Sequence, residues 1–292
     1  MSKTLLQRVA TGLLPFLLAA CAATGSAQLS GVEERGARLA KAEAMFAERC
    51  KKAGVFIHRT AENVEGVFLM KLRPQGINHG DQYRMDDPYG RDFGGDAYIR
   101  SFLNGFFEAN YKRPDEPRSN VLPHIAYSYV EALDPKDGQR YRYMGSRKVV
   151  GRMDASAPNV KVDLARDPNF DLNIYAFTLD KVPAPGPMPR YGVTYEDIST
   201  REERDYWIAG SSLKVIDLQT NEVMAERIGY MMDRGQGNTN SGRSPWLFAA
   251  DHACPTFQRN PNFPLQPGHG ASAQRHQTED FVERILKPVL EK

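Results

Sequence analysis

Six segments between Ile125 and Met232 read as strands one after another: Ile125–Leu133, Arg140–Val150, Leu172–Leu179, Arg190–Ile198, Trp207–Leu218 and Glu222–Met232. Each is rich in β-branched and aromatic residues and is bounded by turn formers. So many strands in succession predict an antiparallel meander, which confines the chain to sheet-based folds. The clearest local signal is the last pair, where Val215-Ile216-Asp217 and Val223-Met224-Ala225 flank a short polar turn over Leu218–Glu222 and so predict a β-hairpin. Prolines 183, 185, 187 and 189 stand at every second position and enforce an extended conformation without backbone donors. That stretch suits a crossing loop between strands of one domain.

Helices are expected at the two ends and before the strand run. Leu39, Ala42, Phe46 and Cys50 share one face at helical spacing, with Lys41, Glu43, Glu48 and Lys52 facing away and Gly54 as the stop. Val55–His58 and Val67–Leu72 read as strands around a polar turn at Glu62–Gly66, and their closeness predicts an antiparallel pair. Asp96 is placed to cap a middle helix with an apolar stripe of Ile99, Phe102, Leu103, Phe106 and Phe107. Beyond Met232 about 40 residues look irregular, and such a stretch needs anchors. Trp246, Leu247, Phe248 and Cys254 can supply them. A last helix is expected from Thr278, burying Phe281, Ile285, Leu286 and Val289, with Pro288 loosening its final turn. The expected fold class is α+β, a mainly antiparallel sheet with N-terminal, middle and C-terminal helices packed on it. Residues 37–292 fit a single domain.

The first residues speak to location. Lys3 and Arg8 precede an apolar stretch from Val9 to Ala20, and small residues follow, which is the order of a secretory signal peptide over 1–20. The stretch is too short to span a bilayer. Within it, Leu18-Ala19-Ala20-Cys21 resembles the lipobox of bacterial lipoproteins, in which the signal is cut just before a cysteine that then carries the lipid. The resemblance implies a lipid on Cys21, a membrane attachment through it and a periplasmic location. Ala22, rather than Asp, after the cysteine resembles the lipoproteins passed to the outer membrane. Cleavage after Ala23 or Ala27 is the competing reading, that of ordinary secretion. Residues 21–36 then form a flexible tether.

Loss of Lys3 and Arg8 lowers the basic count from 38 to match the 36 acidic residues, so the mature chain is neutral. That balance argues against nucleic acid as a partner. With Cys21 lipidated, Cys50 and Cys254 are the only thiols left, and an exported chain with two thiols is expected to pair them. Two buried free cysteines are the alternative.

Candidate chemistry is sparse, and no cofactor is expected. The most polar stretch runs from His79 to Asp96 and holds Asp81, Arg84, Asp86, Asp87, Arg91 and Asp92. It lacks the spacing of a Ca²⁺ loop, and its arginines can neutralise its acids, so a solvated loop ending in a helix cap is expected. Those six residues are nevertheless candidates for contact with a protein partner, because acids, arginine and tyrosine side by side recognise polar surfaces. Asp251-His252, near Cys254, His269 and His276, matches no familiar zinc spacing. Ser211-Ser-Leu-Lys214 matches S-x-x-K by letter but lies in a strand pattern, and Gly235-Gln-Gly237 lacks the third glycine of a dinucleotide loop.

Three functional classes remain. The first is a non-catalytic envelope binding protein that holds a macromolecule, neutralises a toxin or helps assemble a complex; Tyr141, Arg142, Tyr143 and Arg147 would suit its interface. The second is an extracytoplasmic hydrolase of cell-wall or lipid material, for which Asp86, Asp87, His79 and His252 are the residues to test. The third is a structural envelope component. A polar-rimmed apolar patch separates the first class from the second, which needs convergent acid or histidine side chains.

Overall fold

The computed structural model describes residues 34–75, 82–83, 86–90, 94–103, 127–257, 273–274 and 277–289. Cys21 and its surroundings lie outside them. The fold is α+β, with one large, mostly antiparallel sheet.

The chain enters through helix α1 (34–50), whose apolar face lays Ala42, Met45 and Phe46 on Ile208, Tyr230 and Met232. Polar clamps hold the helix in place: Lys41 pairs with Glu202 at 3.2 Å, Arg49 with the buried Glu203, and Arg234 with Glu43. Strands β1 (Gly54–Ile57), β2 (Ala61–Val64) and β3 (Gly66–Leu69) follow, then α2 (Asp96–Ser101). Next come β4 (Tyr129–Leu133), β5 (Arg140–Arg152), α3 (Pro158–Arg166), β6 (Asn173–Pro183) and β7 (Tyr191–Asp197). The described remainder is α4 (Arg201–Asp205), β8 (Ile208–Asp217), β9 (Glu222–Met232), α5 (Pro245–Ala249), β10 (Ala253–Cys254), α6 (Gln277–Ile285) and β11 (Leu286–Pro288).

All six strands read between Ile125 and Met232 form, and the β8–β9 hairpin closes where expected, Asp217 opposite Glu222 and Asn221 in a left-handed conformation at φ 58°. Their arrangement is not one meander. The sheet order is β1-β9-β8-β7-β3-β4-β5-β6, with β10 also on β9. Two antiparallel triplets, β4-β5-β6 and β7-β8-β9, are joined by β3, which runs parallel to both β4 and β7. Buried on both faces, β3 reads as the continuous apolar run Val67-Phe68-Leu69. The proline-rich segment carries the chain from the outer strand β6 back to β7 in the middle of the sheet, the expected crossing.

The expected antiparallel pairing of the two N-terminal strands does not occur. β1 goes to the far edge of the sheet on β9, while β3 goes to its centre. The polar turn between them is itself strand β2, which pairs in parallel with β11 in a separate two-stranded sheet. The last helix correspondingly ends at Ile285; Leu286, still fully buried, belongs to a strand instead. Pro288 accounts for that change, because it lacks a donor and disfavours helix in the residue before it. Asp96 lies in the first turn of α2 and Gly95 takes the cap position, so the aspartate complements the helix dipole rather than capping.

Of β5, β4 pairs with Arg140–Tyr143 alone, so the rest of β5 continues with β6 as a two-stranded arm, and α3 lies in its connection. The main core gathers Val67, Leu69, Phe102, Tyr127, Val130, Leu213 and Phe281 between the sheet and helices α2 and α6. A second core stacks Tyr89, Trp207 and Trp246 with Met231 on the face opposite α1. Among the described residues no helix is long and apolar enough to cross a bilayer.

Candidate functional site

Cys50 and Cys254 are bonded, with Cα atoms 5.6 Å apart across 204 residues of sequence. The bond joins the end of α1 to β10, and β1 begins four residues after Cys50. Both β1 and β10 lie on the same side of β9. The disulfide therefore fixes the edge of the sheet as well as the two ends of the chain.

That edge is one of the exposed apolar surfaces among the described residues, beside Val149 and Val150 on β5. Val55, Phe56 and Ile57 are 40, 43 and 46 % exposed, and no described strand lies outside them. The His58 amide donates to the Met224 carbonyl at 2.9 Å, which sets the antiparallel phase. Phe56 thus turns its backbone groups toward β9, whereas Val55 and Ile57 turn theirs outward. The strand carries no proline, no lysine and no inward charge, the usual devices that blunt an edge. Polar side chains rim it: Arg59 pairs with Asp217 and Glu222, and Glu226, opposite Phe56, accepts from Ser212.

The polar stretch before α2 is built differently from the solvated loop expected of it. Asp87 and Arg73 are both buried and meet at 3.0 Å. The Gly90 amide donates to the other Asp87 oxygen at 2.9 Å, and the Arg73 guanidinium lies over the rings of Tyr195, at 4.1 Å, and Tyr98. Its Nη2 reaches the Thr278 hydroxyl, which ties the loop to α6. Asp86 is partly exposed and accepts from Lys71 at 2.9 Å and from the Tyr195 hydroxyl at 3.1 Å. Burial, with Asp86 adding, pushes the Tyr195 hydroxyl well above the ordinary tyrosine value despite the opposing Arg73. Tyr195 is therefore a hydrogen-bond donor at neutral pH and not a base. The charges of Asp86 and Asp87 bind the fold to itself. Asp81, Arg84, Arg91 and Asp92 lie outside the described residues.

The other sequence candidates separate. His252 immediately precedes β10 and its carbonyl accepts from the Met232 amide; burial, then Arg234, lowers its imidazole below the ordinary histidine value. Asp86 has its partners in Lys71 and Tyr195 and Asp87 in Arg73 and Gly90, and no hydrogen bond or ion pair joins either carboxylate to His252 among the described residues. His79, His269 and His276 are outside the described residues. Ser211 and Lys214 stand three apart on one strand and so point to opposite faces, which removes the serine–lysine pair. Gly235 and Gly237 wrap their amides around the Asp233 carboxylate, at 2.9 and 2.8 Å, and Arg243 pairs with the same group. Among the described residues no three histidine, cysteine or acidic side chains converge to hold a metal. Of the four residues suited to an interface, Tyr143 is buried, Arg142 is taken up by Glu131 and the Tyr129 ring, and the Tyr141 hydroxyl donates to Asp137; the side chain of Arg147 lies outside the described residues.

Sequence reasoning placed β1 inside a strand pair and so missed its exposure. The unbroken Val55-Phe56-Ile57 run carries no signal of it, because the same pattern in Val67-Phe68-Leu69 belongs to a strand buried on both faces. Compared with protein-family models, curated proteins and solved structures, the chain matches none.

Proposed function

We propose that this chain is a bacterial cell-envelope lipoprotein that works as a non-catalytic binding protein, anchored through Cys21 on the periplasmic side of the outer membrane. The observation that carries the reading is the open β1 edge, three consecutive exposed apolar residues within a polar rim. An extended segment of a protein partner would add to it as a further strand, with main-chain hydrogen bonds to Val55 and Ile57 supplying affinity and contacts to the side chains supplying selectivity. The disulfide supports export, because such bonds persist in oxidising compartments. The lipobox resemblance supports the anchor.

The test has two readouts on protein expressed with its own signal. Mass spectrometry of the mature N-terminus should show a lipid on Cys21, absent in Cys21→Ala; an unmodified Cys21 would remove the anchor. Envelope capture with wild type and with Ile57→Lys, which blunts the edge without touching the core, should recover a partner only with wild type. Equal recovery would remove the edge from the interface.

A further inference from the structure

Among the described residues three arginines present the same two donors to a carboxylate. Arg142 offers Nε and Nη2 to Glu131 at 2.9 and 2.7 Å, and Arg190 offers them to Asp217 at 3.1 and 2.7 Å. Arg234 does the same to Glu43. In all three the two donors converge on a single carboxylate oxygen, Oε1 of Glu131, Oδ2 of Asp217 and Oε1 of Glu43, a charge-assisted geometry that suits a carboxylate or phosphate oxygen.

Arg227 has the same two donors, and among the described residues they meet no acceptor. It lies in β9, one strand in from the edge, opposite Val55 and Leu213, and is 5 % exposed. Nη1 donates to the Gln277 carbonyl at 3.0 Å, at the start of α6. Nε and Nη2 are buried without an acceptor, and among the described residues no ion pair reaches the guanidinium. The rings of Tyr89, 5.3 Å away, and Phe281, 5.9 Å away, offer π faces that offset the charge only in part. A guanidinium cannot shed its proton to escape the cost, and buried charges are as a rule paired.

The surroundings are fixed rather than loose. Tyr89 packs against Gly229, where a β-carbon would collide with its ring, and its hydroxyl donates to the Pro255 carbonyl at 3.1 Å. Gln274 donates to the carbonyls of both Pro88 and Tyr89 at 2.6 Å. The segment around Tyr89 is thus held against β9 by side chains from distant parts of the chain, and the unfilled fork is built into that packing.

We infer that the Nε/Nη2 edge of Arg227 is a binding site for an anionic oxygen, that of a carboxylate or a phosphate. The site is independent of the β1 edge. Its ligand supplies the counter-charge that β8, β9 and α6 do not.

The test is thermal unfolding of the full mature protein at constant ionic strength, with chloride replaced stepwise by acetate in one arm and by inorganic phosphate in the other. Wild type should show a saturable rise in Tm, about 5 °C at a hundredfold excess over Kd. The arm that gives the rise identifies the ligand as carboxylate or phosphate. Arg227→Met should abolish the rise and, in chloride alone, should melt no lower than wild type, because it removes an uncompensated charge. Arg227→Lys, which keeps the charge and loses the fork, should fold and lose most of the rise. No rise for wild type in either arm, or an equal rise in a folded Met or Lys variant, would overturn the assignment.

Discussion

The Asp217 carboxylate has no exposure to solvent, yet it receives Arg190 from one side, at 2.7 Å, and Arg59 from another, at 2.8 Å. It also accepts the Gln219 amide at 3.1 Å, which shapes the turn of the β8–β9 hairpin. One side chain thus joins the hairpin to the segment after β1 and to the entrance of β7. The bonds from Arg190 first, and then those from Arg59 and the amide, hold its pKa well below the usual carboxylate value. A depressed folded pKa contributes stability that is present above the unfolded value and is lost as pH falls through the folded one. Asp217→Asn should therefore cost about 1–3 kcal/mol at pH 7, reduced by the half-exposure of both arginines. Urea unfolding should show the gap between wild type and variant closing below about pH 4. A gap that does not change between pH 7 and pH 3 would remove the ionic account.

Reduction should loosen the β1 edge before the core. The disulfide closes a very long loop, and removing such a bond typically costs about 2–5 kcal/mol. Cys50→Ser, Cys254→Ser and the double variant should lose the same amount, since each removes the same link. Amide exchange should then speed up most in β1 and β10, which meet only β9 at that edge. Unchanged protection in β1 would show that its ladder and the α1 clamps suffice without the bond.

What was legible in the sequence was local. The six strands from β4 to β9 announce themselves by residue type, and the hairpin by its turn. Partner choice was not legible where it is long-range. Nothing in Val67-Phe68-Leu69 says that β3 will divide a meander by pairing with Tyr129–Ala132 on one side and with Gly192 and Val193 on the other. Burial of charge was hidden for the same reason. Asp87 stands in a run of acids and glycines that reads as solvated, and only the return of Arg73 and Thr278 from distant parts of the chain encloses it. The cysteines were the exception, because a reading that sets Cys21 aside for a lipid leaves Cys50 and Cys254 one pairing, and they are bonded.

Gly229 should not tolerate a side chain. The Tyr89 ring occupies the position its β-carbon would take, and the tyrosine is fully buried and anchored at its hydroxyl. Gly229→Ala should destabilise by about 1–3 kcal/mol through overpacking. Combining it with Tyr89→Ala should give a loss smaller than the two single losses together, because the clash then has no partner. Strict additivity in chemical denaturation would show that the two residues do not compete for the same space.

The Arg73–Asp87 pair should behave as a unit. Each group is taken from water into the space between β7, α2 and α6, and each is left with a buried charge if the other is removed. Asp87→Asn and Arg73→Met should each cost about 3–5 kcal/mol, because breaking a buried pair strands one charge. Asp87→Leu combined with Arg73→Met should recover much of that loss, since an apolar replacement owes no desolvation. The amide of Gly90 keeps the recovery incomplete, as it loses its acceptor whenever the carboxylate goes. A double variant as unstable as the two single losses together would mean that each residue acts through its other contacts, Arg73 through the Tyr195 ring and Asp87 through the Gly90 turn, and not through the ion pair.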